Sequence, residues 1–327
     1  MVWAVVSTVF VNKKADNSFT YFISYPMGML LAIPYIKFDK FKSYLLTCLN
    51  VLMFISIIVH VGYNLHIIPV SQFYFNDSLR TVCLFFFAFW DDSMIGFVPF
   101  TRFCSIYWEP GMCQIVIMFV LVLFTEDIRR NIFNLKHIIK RYGILILSII
   151  LTGSTMGYLV FSAFVAGLLL FTPHVSHNKR LLPIYILVAI GFVAIVASSS
   201  VVQNKIGSED AENYKSTAVR LADNYACMSV ALENPFWGLG VKSEELDDAL
   251  YSEGNITASN GWLFTAAQLG VVYVLVLLFA IGKNLIQMKF CVPFLFPLLI
   301  LVTTQSNEAM TYFPYMWIYA CSFMKKD

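Results

Sequence analysis

Apolar residues run through this chain in ten long blocks separated by short polar punctuation, roughly 2–12, 21–36, 44–61, 111–126, 142–153, 156–172, 181–198, 262–281, 290–304 and 310–324. A bilayer core takes about 20 apolar residues of helix, or somewhat fewer where the helix is short or tilted. Each block therefore predicts a transmembrane helix, with 2–12 and 142–153 short for a comfortable span. The stretch "LRTVCLFFFAFW", residues 79–90, is too short to cross, and counting it would reverse the sidedness of everything upstream. It reads as an outward, interfacial or re-entrant segment. The opening Met-Val-Trp-Ala has neither a basic n-region nor a small-residue cleavage site, so no signal peptide is expected. The predicted fold is all-α: a single polytopic integral membrane domain over 1–327, with about ten transmembrane helices and two long segments on one side, 62–110 and 199–261.

Composition agrees with that pattern. The chain is 59% hydrophobic and only 13% charged, against roughly 25% charged in soluble domains. Lys and Arg are retained on the cytoplasmic side of short loops. With the N-terminus inside, the inward segments hold Lys37, Lys40, Lys42, Arg129, Arg130, Lys136, Lys140, Arg141, Lys179, Arg180, Lys283, Lys289, Lys325 and Lys326, most of the 22 basic residues. The inward acidic residues are Asp39, Glu126, Asp127 and Asp327. Both long segments then face outward, and function is expected there, because ionisable groups placed beside the apolar phase are costly.

Several chemistries lack their signatures. The seven cysteines and five histidines contain no metal-ligand spacing. There is no P-loop, His-Glu-x-x-His or Gly-x-Ser-x-Gly, so ATP-driven transport, zinc proteolysis and serine hydrolysis are not indicated. No nucleic-acid partner, cofactor or metal is expected.

Two outward stretches carry candidate chemistry. In "RFCSIYWEPGMCQIVIMFVLVLF", Arg102 and Glu109 stand at the mouth of an apolar run, with Tyr107 and Trp108 between them. The pair can serve a ligand or simply fix the Trp-Glu-Pro-Gly turn, and the aromatics can be interfacial anchors or a sugar platform. In "GSEDAENYKSTAVRLADNYACMSVALENPFWGLG", acidic residues follow Gly207-Ser208, as at a helix N-terminus, and Asn234-Pro235 ends the helix. Val219, Ala222, Ala226 and Val230, with Leu221, Tyr225, Met228 and Leu232, give it a broad apolar face, predicting a helix on the membrane surface. Arg220 lies on that helix, either as a site residue or as an interfacial snorkelling arginine.

Together, "TGSTMGYLVFSAFVAGLLL", the arginine-bearing helix leading to "NPFWGLG", and "SNGWLFTAAQLGVVYVLVLL" resemble the O-antigen polymerase and ligase superfamily (Wzy and WaaL type) in order and spacing. "RFCSIYWEPG" further resembles the Arg-x-x-Gly-x-Phe-x-Glu-Pro-Gly segment of its exopolysaccharide polymerase branch. The resemblance spans about residues 40–320. It implies an integral-membrane glycosyltransferase of a bacterial inner membrane, with its active site facing the periplasm, so that 62–110 and 199–261 become periplasmic segments. The chain departs from the pattern twice: Ser154-Thr155 stands where many members have Ser-Arg, and Ser259-Asn260 where ligases commonly carry His-Asn.

The resemblance also implies the substrates, an undecaprenyl-diphosphate-linked oligosaccharide donor and acceptor, with membrane lipid, a chain-length regulator and a flippase as partners. A sugar hydroxyl would attack the anomeric carbon as the lipid diphosphate leaves. Arginine suits that leaving group, since its guanidinium stays charged and forks two hydrogen bonds to phosphate oxygens. Arg220 and Arg102 are therefore assigned to the diphosphate, and Glu109 and Glu308 are candidate bases for the acceptor hydroxyl. Tyr107, Trp108, Trp237 and Asn260 are candidates for sugar binding. A repeat-unit polymerase is the leading expectation, a ligase the second, and a flippase or solute carrier the alternative of another class.

Overall fold

The computed structural model describes residues 37–69, 71–75, 78–83, 86–89, 101–107, 109–172, 211–241, 244–252, 260–288 and 292–306. Among them are ten helices and four short strands. The chain divides into two compact units. One comprises Lys42–Ser208 and Cys291–Ile300; the other comprises Met1–Phe41, Glu209–Phe290 and Leu301–Asp327.

In the Lys42 unit, α1 (Phe38–Asn64) has Leu46, Leu49, Met53, Ser56, Val59, His60 and Tyr63 on its buried stripe. Its opposite face exposes Val51, Phe54, Ile55, Ile58 and Val61. A helix of a soluble protein turns polar residues to the outside, whereas here the outward face is as apolar as the inward one. That pattern suits lipid on one side and protein on the other. Helix α2 (Pro110–Leu123) is buried on every side. It bends by 72° into α3 (Thr125–Asn131), and α4 (Leu135–Leu151) and α5 (Thr155–Leu170) pack beside it.

The bend is fastened by charge. Glu126 pairs with Arg129 at 2.6 Å and Arg130 at 2.7 Å, and Arg129 Nη1 also donates to the carbonyl of Phe171 at the end of α5. Cations at a helix C-terminus meet its negative dipole end. Asp127 accepts from the Tyr142 hydroxyl at 2.5 Å and contacts His137 at 3.1 Å and Arg141 at 3.6 Å. Thus two of the few acidic residues expected inside neutralise the basic cluster beside them.

Four strands, β1 (Ser71–Phe75), β2 (Ser78–Cys83), β3 (Phe86–Phe89) and β4 (Arg102–Phe103), form an antiparallel sheet in sequence order. The protein is mostly helical, in keeping with the all-α expectation, and the small sheet takes in part of the stretch 79–90. Aromatic and β-branched residues at short spacing fit a pleated surface. The strands pair from Ser71↔Val82 to Phe75↔Ser78 and from Thr81↔Ala88 to Cys83↔Phe86. Phe86 packs against Val59 and Tyr63 of α1.

In the Glu209 unit, α6 (Ala211–Glu233) buries Asp223, Ala226, Cys227, Val230 and Ala231 on one stripe. Part of that stripe, Ala226, Cys227 and Val230, shares a core with Leu246 and Leu250 of α7 (Glu244–Ser252) and Ala267 of α8 (Gly261–Leu269). The predicted helix and its stop at Asn234-Pro235 are present, but its apolar residues divide. Ala226 and Val230 face protein, while Leu221, Tyr225, Met228 and Leu232 are exposed.

The block 262–281 is not one helix but two, α8 and α9 (Val271–Gln287), broken at Gly270 with φ 90°. Periodicity alone could not show this, since apolar residues continue through the break. Helix α10 (Leu295–Gln305) falls in block 290–304. Among the described residues, Phe38–Asn64 alone is by itself long and apolar enough to cross a bilayer. Pro110–Leu123 with Thr125–Asn131 would do so as a bent pair. Thr155–Leu170, Val271–Gln287 and Leu295–Gln305 are apolar but shorter. Blocks 2–12, 21–36, 181–198 and 310–324 lie outside the described residues.

Candidate functional site

Arg102 is placed by the alternation of a short extended segment. Successive side chains of a strand point to opposite faces, and those of Thr101 and Phe103 are taken by α1. Asn64 Oδ1 accepts from the Thr101 amide at 3.2 Å and its hydroxyl at 3.1 Å, and the Phe103 ring stands edge-on to His60 at 5.4 Å. Just beyond, Ser105 takes a left-handed φ of 57°, and its buried hydroxyl bonds that of Ser56 at 2.7 Å. With its neighbours held on α1, Arg102 turns to the junction of α4 and α5.

There its Nε donates to the carbonyl of Thr152, the residue that closes α4, at 3.0 Å. Its side chain lies along Gly153, where an added Cβ would be 3.3 Å from Nε. Gly153 has φ 58°, which lets the chain leave α4 and enter α5 within a few residues. Ser154 is the N-cap of α5, its hydroxyl accepting from the Gly157 amide at 3.2 Å. The "TGSTMG" stretch is thus a helix-to-helix corner with an arginine laid over it.

Glu109 is the N-cap residue of α2, in extended backbone and without a side-chain capping bond. A carboxylate there meets the positive end of the α2 dipole. Tyr107 is buried at 6% exposure. Arg102, Tyr107 and Glu109 all belong to the Lys42 unit. Trp108 and Glu308 lie outside the described residues.

Arg220, Trp237 and Asn260 belong to the Glu209 unit. Arg220 is exposed, one helical turn before the buried Asp223. Asn260 caps α8, its Oδ1 accepting from the Trp262 and Leu263 amides at 3.1 and 3.2 Å, which leaves its amide NH₂ as the group able to donate to a sugar. Trp237 is 37% exposed in the "NPFWGLG" turn.

That turn has a structural task. Leu239 N donates to Ala267 O and Gly240 N to Gln268 O, at 2.9 and 2.8 Å. Val272 N returns a bond to Pro235 O at 3.2 Å. The last carbonyls of α8, orphaned by the break at Gly270, are satisfied in this way. Gly238, with φ 62°, lies so close that a Cβ would be 2.4 Å from the Gln268 carbonyl carbon, and a Cβ on Gly270 would be 2.4 Å from Phe236 O. The break in the helix is thus closed by backbone bonds from the turn.

Two residues escaped the sequence reading. Gln114 is a lone amide inside the apolar run of α2, fully buried. Asp223 is a buried acid on the inward stripe of α6. The signal for both was a polar residue interrupting an apolar face. Burial, with the Asp223 charge nearby, pushes the Cys227 thiol up to about 12, so it is not a thiolate nucleophile at neutral pH. Among the described residues no three His, Cys, Asp or Glu side chains gather as a metal site.

Residues 142–279 match the family model described as O-antigen ligase (Wzy_C). The matched stretch runs from α4 into α9. It takes in the Gly153 corner, the Arg220 helix, the "NPFWGLG" turn and the break at Gly270. No curated protein and no solved structure matches the chain.

Proposed function

On the match of residues 142–279 to the O-antigen ligase family model, we propose that this chain is a member of the O-antigen polymerase and ligase superfamily, a membrane glycosyltransferase joining undecaprenyl-diphosphate-linked repeat units into a surface polysaccharide. The family match is the observation that carries this reading, and it implies a membrane enzyme of the glycosyltransferase kind. The hydroxyl oxygen of the acceptor sugar attacks the anomeric carbon of the donor glycan. The bond from that carbon to the diphosphate oxygen breaks, and the lipid diphosphate leaves with the electron pair. The acceptor proton passes to a carboxylate, Glu109 or Glu308.

Arg220 stabilises the developing diphosphate charge, and Arg102 is the second candidate for that task. A guanidinium makes two directed hydrogen bonds to phosphate oxygens and supplies without a metal ion the charge that magnesium brings to other diphosphate reactions. The reaction is therefore independent of divalent metal in this reading. Tyr107, Trp108, Trp237 and the Asn260 amide are the sugar contacts. The enzyme sits in a bacterial inner membrane with 62–110 and 199–261 in the periplasm, and works beside a flippase and a chain-length regulator.

The ligase reading is favoured by the description of the matching family. Against it stands Ser259 before the cap residue Asn260, where a ligase would carry histidine as its proton acceptor. Purified protein in nanodiscs, given lipid-linked repeat units alone, should yield a ladder of longer lipid-linked glycans, undiminished in chelator. Product appearing only when a separate final acceptor is added would establish a ligase.

A further inference from the structure

The geometry points to a phosphate-binding subsite at the first turn of α5, made by Gln114, Thr155 and Arg102. The idea rests on the lipid-diphosphate reading above and names residues that would hold that group. Gln114 is 0% exposed, and neither its Nε2 nor its Oε1 has a hydrogen-bond partner. Such an amide amid the apolar residues of α2 is destabilising unless a partner reaches it.

It lies against α5: a Cβ on Gly157 would be 2.5 Å from Gln114 Cγ and 3.2 Å from its Cδ. Thr155, the first residue of α5, has a buried Oγ1 that is likewise without a partner. The amides of Thr155 and Met156 have no acceptor within the helix, so the positive end of the α5 dipole opens here.

Arg102 adds its charge to the same end. A guanidinium beside a helix N-terminus is unfavourable on its own, but two positive sources with unused donors beside them suit an anion. The Thr152 carbonyl fixes Nε at 3.0 Å, holding the guanidinium over the corner. Arg102 and Thr155 are both partly exposed, giving the anion an approach, while Gln114 meets it from the buried side. The chemistry is that of a phosphate group, carried on a lipid or free.

The test uses the full chain in nanodiscs, measuring the binding of undecaprenyl diphosphate and, separately, of inorganic pyrophosphate. The variants are Gln114→Met, which keeps length without the amide, and Thr155→Val. Each variant should weaken binding about tenfold, as expected for a lost hydrogen bond to a charged group. Melting without ligand should stay unchanged or rise for Gln114→Met. Should Gln114→Met fail to assemble, Thr155→Val decides alone. Lipid binding unaltered by either variant would mean that water fills these positions, overturning the subsite while the function stands. Pyrophosphate binding that depends on both residues, without lipid binding, would uphold the subsite and sink the lipid-diphosphate function. A wild-type protein that binds neither would end both.

Discussion

Arg102 Nε lies 3.0 Å from the carbonyl oxygen of Thr152, so the first candidate site motif is fastened to the helix corner where the family-matched stretch begins its second helix. If Arg102 serves the diphosphate, Arg102→Lys should lose most polymer while protein level holds. An ammonium cannot reproduce the guanidinium fork. Western blotting beside glycan gels separates this from a structural role, in which protein level falls in step with polymer.

Arg220 is exposed on α6 rather than buried in its core, so replacing it should cost little stability. Arg220→Lys should be nearly as inactive as Arg220→Ala, both accumulating single repeat units on the lipid carrier. Normal polymer from well-expressed Arg220→Ala would remove it from the mechanism.

Gly238→Ala and Gly270→Ala each place a Cβ about 2.4 Å from backbone atoms at positive φ, and backbone cannot move aside cheaply. Each should destabilise by roughly 2 kcal/mol or more. Gly143→Ala, whose Cβ meets only Ile139 at 3.4 Å inside α4, should be neutral or stabilising by about 0.5 kcal/mol. Thermal melting in nanodiscs orders the three.

Asn260 can act as cap, as sugar donor, or as both. Asn260→Asp retains the capping oxygen and Asn260→Ala loses it, at about 1 kcal/mol. A sugar-donor role predicts that both variants lower acceptor affinity, while only the alanine variant melts lower. If Asn260→Asp keeps full acceptor affinity, Asn260 is a cap alone.

The Asp127 cluster should be sensitive to acid. Burial would raise its carboxyl, but hydrogen bonds from Tyr142 and His137 and the Arg141 charge outweigh that and hold it below 3.8. A group depressed on folding contributes stability above its unfolded value and loses it as pH falls through the folded one. Melting temperature should therefore fall below about pH 4 in the wild type and less steeply in Asp127→Asn.

The helix of the second long segment and its stop were legible because a cap-like acidic start, an apolar face and Asn-Pro are all local signals. The sheet at 71–103 was hidden by composition. Aromatic residues suit lipid and strand alike, and only pairing, which is non-local, separates them. The break at Gly270 was hidden similarly, since its compensation comes from a turn some thirty residues earlier. Of the site, Arg102 and Glu109 stood out as charges beside an apolar run. Gln114 did not, because an uncharged residue in a long apolar block draws attention only when its neighbours prove unable to bond it.

The central claim, that this chain lengthens a lipid-linked glycan, is tested most directly by extracting undecaprenyl-linked glycans from a strain lacking the protein and sizing them by mass spectrometry. The account predicts single repeat units on the lipid and at most one unit on the final carrier, with polymer restored by the wild-type chain. Full-length chains still assembled on undecaprenyl diphosphate, but not passed to the final carrier, would contradict it and establish a ligase.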